Sequence, residues 1–179
     1  MKAFVASGLV MGLIIGAASA PAAPASAEEN LTGRVVADIC LPYASRALTF
    51  EKAIRAARDL KFRRPYGERD VPLEEYASEV NLISNDGSWR IRLEEGTNEE
   101  DERSPYYLSC ALSSTRASAN ELADLGRRAF RDDRYWTTEE TTPRVWLRRE
   151  RRPEERRLDA RVVEQHGERP ALTIRGQYY

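Results

Sequence analysis

The sequence predicts an α+β domain: a single antiparallel sheet of about six strands with two amphipathic helices packed on one face. Two stretches, near 50–60 and 118–130, carry the spacing of a helix with one apolar stripe. Period-two alternation follows each of them, and the links between successive strands are too short for a helical crossover, except around 115–135. The expected order is helix, three strands, helix, three strands. No repeat of fixed period accompanies this coarse doubling.

The chain of 179 residues opens with Lys2 as the only charge before Glu28 and an apolar or small run from Ala3 to Ala20. That pattern reads as a cleavable secretory signal peptide over 1–27, since its apolar core falls short of the roughly 20 residues that span a bilayer. Of two Ala-x-Ala sites, Ala18-Ser19-Ala20 is followed by Pro21, which favours Ala25-Ser26-Ala27 and cleavage before Glu28. Residues 28–38 read as a flexible lead-in, and 39–179 as the single α+β domain.

Thr49 is placed to cap a helix from Phe50, in which Phe50, Ala53, Ile54, Ala57 and Leu60 form the apolar stripe. Lys61, Arg63 and Arg64 follow its C-terminal end, where cations complement the helix dipole, and Pro65 marks a stop. Residues 65–78 read as a loop, Val80–Ile83 as a strand and Asn85-Asp86-Gly87 as a turn. Trp89, Ile91 and Leu93 alternate with Arg90, Arg92 and Glu94, as a strand with one buried face requires. The acidic stretch from Glu94 to Arg103 reads as a hairpin loop. Tyr106, Leu108, Cys110 and Leu112 alternate again, which points Cys110 inward.

Ser118 and Glu121 have the spacing of a capping box, and Leu122, Leu125, Ala129 and Phe130 continue one helical face. Gly126 inside that helix marks a close helix–sheet approach, since glycine there costs about 1 kcal/mol relative to alanine. Three strands follow, around Val145–Leu147, Leu158–Val162 and Leu172–Ile174, with turns at 152–155 and 165–168. Trp146 lies on the opposite face from Val145 and Leu147.

Export sets the reading of the cysteines. Cys40 and Cys110 are the only pair and, in an oxidising compartment, are expected to form a structural disulfide. Their spacing is far from that of a CxxC redox or zinc motif, and a nucleophilic thiol would need a histidine to activate it. The one histidine, His166, lies in a predicted turn. A zinc site of the usual histidine and cysteine type is excluded by count.

The other chemistry-bearing features have plain alternatives. The acids of 94–102 are largely contiguous and lack the Asp-x-Asn/Asp-x-Asp/Asn-Gly arrangement of a calcium loop. Arginine outnumbers lysine 25 to 3, yet the region after residue 27 holds 27 basic and 29 acidic groups in alternating runs. Balance of that kind does not suit a nucleic-acid binder. Tyr135, Trp136 and Trp146 are candidates for a stacking surface on sugars or peptides, against the alternative that they cover a helix end. Gly-x-Ser-x-Gly, P-loop and Gly-x-Gly-x-x-Gly patterns are absent.

The expectation is therefore a periplasmic or secreted small envelope protein, a non-enzymatic domain that binds an envelope protein or a cell-wall component. No cofactor, metal, nucleic-acid partner or catalytic residue is assigned, and no membrane span is expected after processing. Two alternatives stand beside it: a carboxylate-dependent hydrolase of envelope polysaccharide, which needs two carboxyl groups about 5–10 Å apart, and an inhibitor of an external hydrolase acting through the 94–103 loop.

Overall fold

The computed structural model describes residues 27–70, 72–74, 77–97, 106–130, 136–137, 144–148, 155–164 and 169–178. Residues 1–26 of the expected 1–27 signal peptide, Tyr135 and the 165–168 turn with His166 lie outside these residues. One antiparallel sheet organises the chain, built from β1 (Glu79–Ile83), β2 (Trp89–Thr97), β3 (Tyr106–Ser114), β4 (Trp136–Thr137), β5 (Val145–Arg148), β6 (Glu155–Val163) and β7 (Ala171–Tyr178). Their spatial order is β1-β2-β3-β7-β6-β5-β4. The α+β class and the single antiparallel sheet are as the alternation predicts, with the two-residue β4 added at one edge.

Register shows how the alternation builds a core. Val80, Leu93, Cys110, Ile174, Ala160 and Trp146 stand opposite one another across six strands. All six are buried. One residue along, the row Asn81, Arg92, Ala111, Thr173, Arg161 and Val145 is half-buried or exposed. A one-residue slip would exchange the two faces, so burial of the first row fixes the register.

Among the described residues four helices accompany the sheet: α1 (Ala27–Arg34), α2 (Leu41–Ala44), α3 (Phe50–Asp59) and α4 (Ala119–Phe130), with a π-helical stretch, Val35–Cys40, joining α1 to α2. This corrects the expected flexible lead-in over 28–38. Val35, Val36, Ile39, Cys40, Tyr43 and Ala44 recur at helical spacing, and all are buried in the core. Pro42 explains the change of pitch. It has no N–H to give and its ring crowds the carbonyl four residues back, and just before it the Leu41 N–H bonds five residues back to Val36. The Cys40–Cys110 disulfide then ties this helix to β3, with the two Cα atoms 5.1 Å apart.

The other helices form for the expected local reasons. The Thr49 side chain accepts from the Lys52 N–H at 3.4 Å. Ser118 and Glu121 make the reciprocal capping box, with the Ser118 N–H donating to Glu121 Oε2 at 2.7 Å and the Glu121 N–H to Ser118 Oγ at 3.3 Å. α4 packs on β6 and β7, while α3 meets β2 and the π-helical stretch. Gly126 makes the predicted close approach: a Cβ there would lie 3.1 Å from the Trp146 ring and 3.4 Å from Leu172.

Candidate functional site

The residues singled out by the sequence do not converge. Trp146, a candidate for the binding surface, is 3% exposed and packs against Phe130 with ring centroids 5.6 Å apart. Its strand turns it into the core and leaves Val145 and Leu147 on the outer face, so it fills the space that Gly126 opens. Trp136 belongs to β4 at the sheet edge. Cys40 and Cys110 are joined and buried, which leaves their sulfurs no chemistry to perform.

The acidic stretch is also rearranged. β2 runs on to Thr97, so Glu94 and Glu95 are sheet residues and not part of a loop. Glu94 accepts from the Tyr107 hydroxyl at 2.7 Å, and Glu95 from Tyr43 at 3.5 Å. Burial, then the nearby Glu95 charge, raises the Tyr43 phenol well above its ordinary range. Tyr106 rises for the same first reason and through its hydrogen bond to Glu95. Among the described residues no cluster of three metal-ligating side chains occurs, and no helix is long and apolar enough to cross a membrane.

A different region concentrates charge. From Lys61 to Arg69 the chain holds four cations and one acid, a local excess within an otherwise balanced sequence. Folding converts that excess into a cleft of about 550 Å³ lined by Arg58, Asp59, Lys61, Arg63, Arg64 and Arg69. The volume lies in the range of small-molecule sites.

Local structure explains how the cations come together. α3 ends in a Schellman arrangement, with Phe62 N–H bonding back to Ala57 and Lys61 N–H to Arg58, both at 2.9 Å. The residue at the turning point, normally glycine, is Lys61, at φ 69°. The backbone of Arg63 then pairs with Ile83 at the end of β1, which fixes this wall to the sheet. Arg63 Nη1 donates to the carbonyls of Arg58 at 2.6 Å and Phe62 at 2.8 Å, and Arg69 Nε to the carbonyl of Arg64 at 3.2 Å.

Those acceptors position the guanidinium groups without neutralising them. Arginines of the outer sheet face are treated differently: Arg92 pairs with Glu79 at 3.0 Å and Arg161 with Asp159 at 2.8 Å. Asp159 itself is 2% exposed. Tyr66, 93% exposed, stands beside the cleft with Arg69 over its ring at 5.8 Å. By spacing alone, Lys61, Arg63 and Arg64 complement the helix dipole and Arg69 belongs to a loop. The local run of like charge was the available signal.

A second depression of about 350 Å³ adjoins the cleft and shares Arg58 with it. Buried Phe50 and Ile54 lie beneath it, with Leu73 and Ala77 alongside and Glu51 and Glu74 among its acids. Bonds from its own backbone N–H and from the Thr49 hydroxyl hold the Glu51 carboxyl below the usual range. Comparison with known proteins returns no matching family model, no similar curated protein and no similar solved structure.

Proposed function

We propose that this chain is an exported, non-enzymatic binding domain of the cell envelope whose ligand is anionic and sits in the Arg58–Arg69 cleft. The observation that carries the reading is the cleft itself: five cations and one acid around one concavity, with Arg63 and Arg69 held by neutral carbonyls. Lys61 adds to it. A non-glycine residue in the left-handed region costs of order 1 kcal/mol, and such outliers concentrate at functional sites. Export rests on the leader-like segment 1–27 and suits the buried disulfide, which an oxidising compartment maintains.

The hydrolase alternative draws on Glu51 and Glu74 in one groove. Its general acid would need a raised pKa, a role that Glu51, shifted the other way, does not suit. The inhibitor alternative loses two of its six acids to β2.

Titration calorimetry with inorganic polyphosphate tests the proposal. Binding is expected at low salt and is weakened as the Debye length shortens to about 8 Å at physiological ionic strength. Lys61→Glu together with Arg69→Glu, both on exposed side chains, should weaken it by about tenfold or more. Indifference of the wild type to polyphosphate, or of binding to this charge reversal, would sink the assignment. Cell fractionation with and without residues 1–27 tests export separately; a chain found in the cytoplasm in both cases overturns that half.

A further inference from the structure

We infer that the cleft and its neighbouring groove together hold one anionic phospholipid, the phosphate headgroup among the cations and an acyl chain along α3, with Tyr66 at the membrane interface. The inference rests on the reading of the cleft as an anion site and adds the groove. Arg58 lines both depressions, so they form one continuous surface: cations gather at one end, and at the other Phe50, Ile54, Leu73 and Ala77 form an apolar strip rimmed by the charged side chains of Glu51, Arg55 and Glu74. Phe50, Ile54 and Arg58 recur every four residues on α3 and so line up along its axis, spanning about 12 Å. Buried Phe50 and Ile54 form the floor, and half-buried Leu73 and Ala77 form a wall that already packs on the core.

A free phosphate or sugar phosphate would use the charged end and leave the apolar end wet. A lipid uses both. Tyr66 favours the same occupant: an almost fully exposed ring with a polar tip beside cationic side chains is the combination found at headgroup level. Lys61, Arg64 and Arg69 add the attraction of basic groups for an anionic leaflet.

Vesicle co-sedimentation of the purified protein tests the inference, using equal parts phosphatidylglycerol and phosphatidylcholine against phosphatidylcholine alone, with glycerol phosphate and inorganic polyphosphate as soluble probes. Binding is expected to the anionic vesicles only, weakened about tenfold or more by Lys61→Glu with Arg69→Glu. Ala77→Asp and Leu73→Ser should reduce vesicle binding while leaving polyphosphate binding intact, and circular dichroism checks their folding. Should the groove variants misfold, Tyr66→Trp gives an independent reading: its emission shifts to the blue on anionic vesicles if residue 66 enters the interface. Binding to polyphosphate without binding to vesicles would overturn the lipid inference and leave the anion site standing. Binding to neither overturns both. Vesicle binding that ignores the groove variants, or an unshifted Trp signal, would mean that no acyl chain is held.

Discussion

The hydroxyl of Tyr178, at the C-terminal end of β7, donates to the backbone carbonyl of Ala44 at the end of α2, joining residues 134 apart in the chain. Gly176 makes the approach feasible, because a Cβ at that position would overlap the Ala44 carbonyl and crowd the Tyr178 ring. Gly176→Ala should therefore destabilise the fold by about 1–3 kcal/mol through overpacking. Tyr178→Phe should cost about 1–2 kcal/mol for the lost buried bond. Urea unfolding of both variants measures this. A neutral Gly176→Ala would show that the N-terminal helix does not sit against β7 as described.

The same helix is held a second time by Cys40–Cys110, which closes a loop with a sequence separation of 70. In the chain-entropy view such a loop stabilises by about 4 kcal/mol, a large share of the roughly 5–15 kcal/mol of an ordinary domain. Cys40→Ser with Cys110→Ser, compared with the oxidised wild type in urea, should lose most of that amount. A loss below about 1 kcal/mol would mean that packing alone docks the helix.

Acid should loosen the β1–β2 hairpin in a defined window. The Asp86 carboxylate accepts from the hydroxyls of Ser84 and Ser88, both at 2.5 Å, and from the Ser88 N–H at 3.2 Å. These bonds, the Ser84 one foremost, lower its pKa from 3.8 to about 2. A depressed carboxyl contributes fully above its unfolded pKa and loses that contribution as pH falls through the folded one. Stability should thus decline between roughly pH 4 and pH 2, and Asp86→Asn should flatten the decline. The partly exposed side chain keeps the effect small. An unchanged acid profile in Asp86→Asn would refute the role given to this turn.

How far the sequence disclosed all this depends on how local each signal was. The caps at Thr49 and Ser118, the alternation of Trp89–Leu93 and the inward Cys110 are settled by neighbours a few residues apart, and each appears as expected. The helix through 28–38 was missed because Gly33, the Val35–Val36 pair and Pro42 are poor helix formers. Tertiary packing of Val36 and Ile39 overrides that preference. The outward candidacy of Trp146 turned on which face of β5 meets the core, and only the pairing with Ala160 decides it. The cationic cleft needed α3 to end at Asp59 and Arg63 to pair with Ile83, a contact 20 residues away that no spacing reveals.

Lys61 separates stability from binding in a single substitution. It occupies the left-handed position at the end of α3, where φ is 69° and glycine is the residue without steric penalty. A lysine side chain there also lines the cleft. Lys61→Gly should consequently raise the unfolding free energy by about 0.5–1 kcal/mol, net of the greater freedom glycine has in the unfolded chain. The same substitution removes one of five cations and should weaken polyphosphate binding several-fold at low salt. Thermal unfolding and calorimetry on the one variant read both effects. A stabilised protein with weaker binding identifies the strain as belonging to the site. A stabilised protein that binds as before would show that Lys61 takes no part in holding the anion, and a destabilised one would contradict the backbone geometry assigned to this turn.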